Sequence, residues 1–125
     1  MILGIGIDLC CISRMERAIR SRHFLERVFR SEEIAYAEGR GRGRAASLAA
    51  AFAAREAFCK ASRVPLAVVT LGGGFALLYE GGTPRVRLSP DVERALFRGR
   101  PGRVLVSLTH DGDCAAAVAV VEVAP

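Results

Sequence analysis

Residues 45–61 read AASLAAAFAAREAFCKA, and this stretch decides how the remaining chain can fold. It is rich in alanine, has good helix formers and lacks glycine and proline, so it predicts one long helix. Positions four apart share one side of a helix, and that side carries Leu48, Phe52, Glu56 and Lys60. Its first half is apolar and predicts contact with the core, whereas its second half carries charge.

Glu56 and Lys60 allow two interpretations. An ion pair four residues apart on a solvated helix face is common and contributes only about 0.2–0.5 kcal/mol. Burying charge without partners costs several kcal/mol, so inward-facing charges would need a functional reason. The helix taken alone favours the ordinary surface pair.

The first residues predict a buried strand that ends in an acid. Residues 2–8 are rich in isoleucine, and Asp8 stands where a loop is expected to leave the sheet. Asp8 could cap a helix or form a turn, or it could bind a hard cation. Asp8 and Glu56 together would suit Mg²⁺, which prefers oxygen ligands and completes its shell with water and substrate phosphate. Lys60 beside them would then meet the phosphate charge.

A third polar group lies near the C-terminal end. Ser107-Leu108-Thr109-His110 stands at the end of a predicted strand, before Asp111-Gly112. Hydroxyls, a histidine and turn amides together can hold a phosphate. An ordinary surface histidine is the alternative.

The remaining segments predict one α+β domain over residues 1–125. Ser13 and Glu16 fit a capping box that opens a short helix. Further helical segments are predicted at 24–28, 31–39 and 89–99. Further strands are predicted at 68–70, 75–80, 85–88, 104–109 and 114–123.

Arginine dominates the charge of the chain. The net charge is +5, which predicts an anionic partner: nucleic acid, an acidic protein or a phosphate-rich small molecule. The segment Arg40-Gly41-Arg42-Gly43-Arg44 predicts a flexible basic loop, either a nucleic-acid-binding element or a solvated loop near a phosphate.

Cysteine spacing and hydropathy bear on cellular context. The four cysteines lack the spacing and histidine partners of a zinc site, so reduced thiols are expected. No apolar run approaches the roughly 20 residues of a membrane span. The N-terminus has no basic leader, so we expect a cytoplasmic protein that does not bind membranes.

Three motifs together resemble one family. Residues 4–8 (GIGID), residues 52–61 (FAAREAFCKA) and residues 107–110 (SLTH) occur in the order and at the intervals of holo-acyl-carrier-protein synthases. The resemblance covers essentially the whole chain. It implies the 4'-phosphopantetheinyl transferase fold, an α+β domain with an antiparallel sheet on a long central helix. It also implies a homotrimer with coenzyme A sites at the subunit interfaces.

The resemblance implies an activity and its catalytic residues. The chain would transfer 4'-phosphopantetheine from coenzyme A to a serine of apo-acyl carrier protein in fatty acid biosynthesis, releasing 3',5'-ADP. Asp8 and Glu56 would bind Mg²⁺. Glu56, directly or through a metal-bound water, would take the serine proton. Lys60 would stabilise or protonate the departing phosphate.

The resemblance also implies binding residues. Contacts with coenzyme A are expected from Arg42, Arg44, Phe52, Lys60, Thr109 and His110. Contacts with the acidic acyl carrier protein are expected from Arg14, Met15, Arg20 and Arg27.

Several positions depart from the family pattern. Ala51 and Leu105 stand where an arginine and a histidine are common, and Arg63-Val64-Pro65 replaces a Gly-Thr-Gly segment. Arg55 replaces lysine, and Cys11 replaces an acid. These departures leave open a catalytically weakened scaffold that binds coenzyme A and a carrier. The arginine content leaves open a nucleic-acid-binding module.

Overall fold

The computed structural model describes all 125 residues, which form five strands, six α-helices and a short 3₁₀ turn. In chain order the elements are β1 (Ile2–Cys11), α1 (Ile12–Ala18), α2 (Arg22–Val28), α3 (Ser31–Glu38), the 3₁₀ turn (Gly41–Gly43), α4 (Arg44–Ser62), α5 (Leu66–Thr70), β2 (Phe75–Glu80), β3 (Thr83–Leu88), α6 (Pro90–Phe97), β4 (Gly102–Asp111) and β5 (Cys114–Val123). The predicted α+β class is confirmed.

The main sheet is antiparallel and has the order β1-β5-β4. On the central strand β5, Ala115, Ala117 and Ala119 are buried and belong to the same apolar core as the alanines of α4. These short side chains let the long helix lie close to the sheet, as the predicted fold requires. Strands β2 and β3 form a separate two-stranded sheet.

Two glycines of β1 allow that strand to touch α4 directly. A Cβ atom on Gly4 would lie 1.9 Å from the carbonyl oxygen of Ala61, and one on Gly6 would lie 2.0 Å from that of Ala57. Any larger residue would push the strand off the helix. This contact places Asp8, two residues after Gly6, beside the last turns of α4.

A buried ion pair holds α4 from another side. The Arg55 side chain is completely buried, and its Nη1 donates a hydrogen bond of 2.7 Å to Glu33 Oε2 on α3. Glu33 also accepts from the backbone N–H groups of Leu77, at 3.0 Å, and Arg30, at 2.8 Å. The pair therefore links α3, α4 and β2, and Arg55 Nε is the one nitrogen of the guanidinium left without an acceptor.

Three local predictions were wrong at the start and middle of the chain. Ser13 does not cap α1, which begins at Ile12; its hydroxyl donates to Asp113 instead. Asp8 does not end the first strand, because β1 pairs with β5 as far as Cys11. Residues 68–70 are not a strand but the second half of helix α5, where the Thr70 hydroxyl donates to the Leu66 carbonyl.

The arginine–glycine segment is ordered by its neighbours. Gly41–Gly43 forms a 3₁₀ turn, and α4 begins at once with Arg44. Arg40 lies over the ring of Tyr36 at 5.8 Å. The segment is therefore the entrance to the long helix rather than the flexible basic loop that was predicted.

No helix combines the length and the apolar character that crossing a membrane requires.

We expect Glu33→Ala to lower the free energy of unfolding by about 3–5 kcal/mol, because it leaves the Arg55 guanidinium buried without a counterion. Urea denaturation monitored by circular dichroism measures the loss. Glu32→Ala is the matched control, since Glu32 is the preceding residue but is exposed and pairs with Arg87 at the surface. Equal losses in both variants would contradict a special role for the buried pair.

Candidate active site

Asp8, Glu56 and Lys60 meet where β1 lies on α4. Glu56 and Lys60 occupy successive turns of the helix and face the strand. The Lys60 ammonium donates a hydrogen bond of 2.9 Å to Asp8 Oδ1 and another of 3.0 Å to the carbonyl oxygen of Ile7. Lys60 therefore pairs with Asp8 across two elements. The interpretation of Glu56 and Lys60 as an ordinary surface pair on one helix was wrong.

The two carboxyl groups have opposite pKa shifts. A hydrogen bond with Asp8, burial and the Asp8 charge together raise the pKa of Glu56 to about 7. Burial opposes the charge on Asp8, but hydrogen bonds from Glu56 and Lys60 outweigh it and lower the pKa of Asp8. The pair therefore holds one proton at mildly acidic pH, and Glu56 carries it.

The arrangement fits a hard divalent cation. Asp8 Oδ2 is buried, and protonated Glu56 is the one donor that its surroundings offer; when Glu56 loses its proton, a cation can take that place. No group of three or more histidine, cysteine or acidic side chains forms a protein-only metal cage. Two carboxylates without such a cage suit Mg²⁺, which usually takes one or two carboxylates and completes its shell with water and phosphate.

The nearby thiol is not a competing ligand. Burial, followed by the charges of Glu56 and Asp8, raises the pKa of Cys10 to about 11. Cys10 is therefore a neutral thiol at physiological pH, and thiolate is the form that binds metals. All four cysteines are free.

Thr109 and His110 line a different cleft, of about 520 Å³, at the start of α4. The cleft also contains Arg40, from the predicted basic segment, and three residues that the sequence did not indicate: Tyr36, Ser47 and Tyr79. The two tyrosine rings stack with their centroids 4.0 Å apart. No spacing in the sequence indicates this pairing, because Tyr36 lies on α3 and Tyr79 on β2.

The cleft and the carboxylate pair are separate within one chain. Strand β5 lies between β1 and β4, and Thr109 is level with Ala116 and Leu9 across the sheet. Because side chains alternate along a strand, Thr109 shares the outer face with Leu9, whereas Asp8 faces α4. One chain therefore does not bring Thr109 to Asp8.

The residues near the start of α4 that were predicted to contact coenzyme A differ in their exposure and in their partners. Arg42 is exposed on the 3₁₀ turn. Arg44 lies 3.3 Å from the Glu38 carboxylate and is already paired. Phe52 is half-buried and packs against the core. Arg42 is thus the freer of the two arginines to meet a ligand.

The largest cleft, of about 610 Å³, lies at the other end of α4, beyond Lys60. The segment Arg63-Val64-Pro65, which departs from the family pattern, forms part of its wall. Arg63 ends the helix in the left-handed conformation, with φ of 65°. The departure therefore lies in the wall of a cleft that begins one residue beyond Lys60.

The predicted partner-binding residues divide into two groups. Arg14, Arg20 and Arg27 are exposed on or beside α1 and α2. Met15 is only 4% exposed and belongs to the apolar core. Its predicted contact with a partner was wrong, because α1 turns Met15 inward.

Comparisons with known proteins agree with this fold. The family model described as the 4'-phosphopantetheinyl transferase superfamily matches residues 4–96. The holo-[acyl-carrier-protein] synthase of Treponema denticola is 38% identical over 122 residues, which cover 98% of this chain and 99% of that protein.

Solved structures show the same relationship. The holo-[acyl-carrier-protein] synthase from Neisseria meningitidis superposes with a TM-score of 0.84 at 28% identity, covering 98% of this chain and 99% of that one. The Helicobacter pylori synthase, described in complex with coenzyme A, superposes with a TM-score of 0.81 at 27% identity, covering 94% and 99%.

The fold and the family match define a class of enzyme, the 4'-phosphopantetheinyl transferases. The chain belongs to this superfamily and, within it, to the holo-[acyl-carrier-protein] synthase family. The resemblance found in the sequence is confirmed. The comparisons do not favour a scaffold protein or a nucleic-acid-binding module.

The raised pKa of Glu56 predicts a pH-dependent stability. Between the ordinary glutamate value of 4.5 and about 7, the folded chain binds more protons than the unfolded chain. The free energy of unfolding contributed by this group therefore falls as the pH rises through that window. Thermal unfolding with a chelator present, from pH 4.5 to 8, measures the fall.

Glu56→Gln should remove this part of the pH dependence, and the exposed Glu93→Gln should retain it. Magnesium chloride should raise the unfolding temperature of the wild-type chain more at pH 8 than at pH 5, because protons compete with the cation. Identical pH profiles for wild type and Glu56→Gln would contradict the assignment.

Proposed function

We propose that this chain transfers the 4'-phosphopantetheine group of coenzyme A to a serine of apo-acyl carrier protein, yielding holo-carrier protein and 3',5'-ADP. The observation that carries the proposal is the convergence of Asp8, Glu56 and Lys60 at the contact between β1 and α4. The membership of the chain in the synthase family and the coenzyme A complex of the Helicobacter pylori relative support it.

The reaction joins the serine oxygen to the β-phosphorus of coenzyme A and breaks the pyrophosphate linkage. Glu56 is suited to accept the serine proton, because a pKa of about 7 lies near physiological pH. Lys60 carries a positive charge beside the carboxylates and is more than half exposed. It can therefore meet the charge that develops on the departing 3',5'-ADP phosphate.

Asp8 and Glu56 would hold Mg²⁺ at this site. When bound, the ion supplies charge neutralisation and polarises the phosphoryl group. Hydrogen bonds from Glu56 and Lys60 outweigh burial and lower the pKa of Asp8, so the Asp8 carboxylate stays ionised even when Glu56 is protonated.

The nucleotide end of coenzyme A fits the cleft at the start of α4. Thr109 and His110 offer polar groups, and the stacked Tyr36 and Tyr79 rings offer an aromatic wall. Arg42 lies exposed on the adjoining 3₁₀ turn and is suited to a phosphate. These groups would bind coenzyme A without taking part in the chemistry.

The exposed arginines of α1 and α2 would dock the carrier. Arg14, Arg20 and Arg27 are free of ion pairs to the chain's own acids. A net charge of +5 would steer an acidic carrier toward this surface. We place the reaction in fatty acid biosynthesis and in the cytoplasm, where the four free thiols would remain reduced.

The outer face of the main sheet supports assembly as a homotrimer. On β1, Ile5, Ile7 and Leu9 point away from α4 and are 64–67% exposed. Leu105 on β4 is a further exposed apolar residue of the same sheet. A contiguous apolar face of this kind marks an interface. Thr109 lies on this face as well, so a neighbouring chain would adjoin the coenzyme A cleft.

We expect the wild-type chain to have a molar mass in solution three times the 13.4 kDa of one chain. Ile5→Asp should reduce the mass toward that of one chain, because three carboxylates would be buried in the interface. Light scattering after size-exclusion chromatography measures it. Val68→Asp, an exposed apolar position on α5, is the control and should remain trimeric. A single-chain mass for the wild type would refute the trimer.

The transfer itself is tested by intact-mass measurement of the carrier. Purified chain, coenzyme A, MgCl₂ and apo-acyl carrier protein should yield a carrier that is heavier by one phosphopantetheine group. Asp8→Ala, Glu56→Ala and Lys60→Ala should each reduce the rate by about 10²–10⁴-fold. EDTA should abolish the reaction, and Glu93→Ala on α6 should leave it unchanged.

No mass gain with several carriers, from a folded wild-type chain, would refute the transferase proposal. Full activity in EDTA would refute only the metal requirement.

A further inference from the structure

We propose that Asp113 is a positioning residue for this reaction. From the turn between β4 and β5, it holds the start of α1 and thereby sets the orientation of Arg14 toward the carrier. The inference rests on the proposed function, because it concerns the surface that the acidic carrier would meet.

Asp113 contacts three consecutive residues at the junction of β1 and α1. Its Oδ1 accepts a hydrogen bond of 2.8 Å from the Ser13 backbone N–H, and its Oδ2 accepts one of 2.6 Å from the Ser13 hydroxyl. Oδ2 also accepts from the Cys11 thiol at 3.0 Å. The Asp113 carbonyl oxygen accepts from the Ile12 N–H at 2.9 Å.

Helix α1 has no cap of its own. It has only seven residues, its N-cap is Cys11 without a side-chain capping bond, and its first turn contains no acid. The first N–H groups of any helix need acceptors, and negative charge there is favourable. Asp113 supplies both from a remote part of the chain, so it performs the role that the sequence predicted for Ser13.

Helix α1 directly follows β1, the strand that carries Asp8, and packs against α4, the helix that carries Glu56. Arg14 directly follows Ser13, the residue that Asp113 holds most tightly. Arg14 lies in the first turn of α1, three residues after Cys11, the last residue of β1. A shift of the start of α1 therefore changes the position of Arg14 relative to the reacting groups.

Charge and position make opposite predictions for the loss of Asp113. Removing an acid near the docking surface makes that surface more basic, which alone would strengthen attraction to an acidic carrier. Releasing the start of α1 would instead weaken binding of the carrier. A higher carrier KM in the variant would therefore indicate a positioning role, and a lower one would indicate simple electrostatics.

The experiment compares Asp113→Ala with Asp113→Asn and with Asp111→Ala, in transfer assays that vary each substrate. Asp111 is an exposed acid on the same hairpin whose side chain makes no hydrogen bond or ion pair. Asp113→Ala should raise the KM for apo-carrier protein by about 2- to 30-fold, the range for loss of a helix cap. The KM for coenzyme A and kcat should change less than about twofold.

Asp113→Asn should have a carrier KM close to that of the wild type, because its amide oxygen can still accept from the Ser13 N–H. Ser13→Ala should raise the carrier KM in the same direction but less. In an Arg14→Ala background, Asp113→Ala should add little, because the residue through which it acts is already absent. Asp111→Ala should leave the carrier KM unchanged or lower it.

The outcomes separate this inference from the function on which it rests. An inactive wild-type chain refutes the proposed function, and the inference with it. An active wild-type chain whose Asp113→Ala variant has an unchanged or lower carrier KM refutes the inference alone. Equal rises in the KM for both substrates, or additivity with Arg14→Ala, refute it as well.

Discussion

The long helix α4 depends on a buried ion pair. Arg55 is enclosed between the rings of Phe29, at 5.0 Å, and Phe75, at 5.4 Å, and its counterion Glu33 is buried as well. An uncompensated charge in that position would cost several kcal/mol, so α3, α4 and β2 must meet in one arrangement. Arg55 and Glu56 are adjacent in sequence and point in different directions. The buried guanidinium therefore fixes the rotation of the helix that presents Glu56.

The opposite side of α4 is determined by backbone contact. Gly4 and Gly6 bring β1 so close to the helix that no side chain fits between them. This closeness puts a strand carboxylate beside a helix carboxylate, which explains why Glu56 retains a proton near neutral pH. The same contact lets Lys60 reach Asp8 and the Ile7 carbonyl. The close approach of β1 to α4 therefore determines both the packing of the helix and the environment of its carboxylate.

Different parts of the proposed reaction depend on different parts of the chain. The charged groups that move protons and meet phosphate lie on rigid elements, β1 and α4. The groups suited to binding lie at the edges: the cleft beside β4, the apolar outer face of the sheet and the arginines of α1. Thr109 and Asp8 face opposite sides of the sheet, so one chain does not bring them together. In the proposed trimer, assembly through the outer face would place a second chain beside the coenzyme A cleft.

The sequence by itself determined the elements with strong local patterns. The alanine-rich helix, the glycine-containing first strand and the final pair of strands could be predicted because composition and periodicity act within a few residues. The chemical types of Asp8, Glu56 and Lys60 were also evident, and the family resemblance supplied their meaning. Their proximity was one of two interpretations, and the helix taken alone favoured Glu56 rather than Asp8 as the partner of Lys60.

Only the tertiary structure decided which groups are buried and which meet. Residues 66–70 could form a strand or a helix by local preference, and the helix prevails because a segment this short takes its conformation from its surroundings. Arg55 resembles a surface residue in sequence, yet Glu33 makes its burial possible. Ser13 finds its acceptor in Asp113, and Tyr36 stacks on Tyr79, both across long stretches of chain. No periodic pattern in the sequence indicates such contacts, because they form only when separate elements pack together.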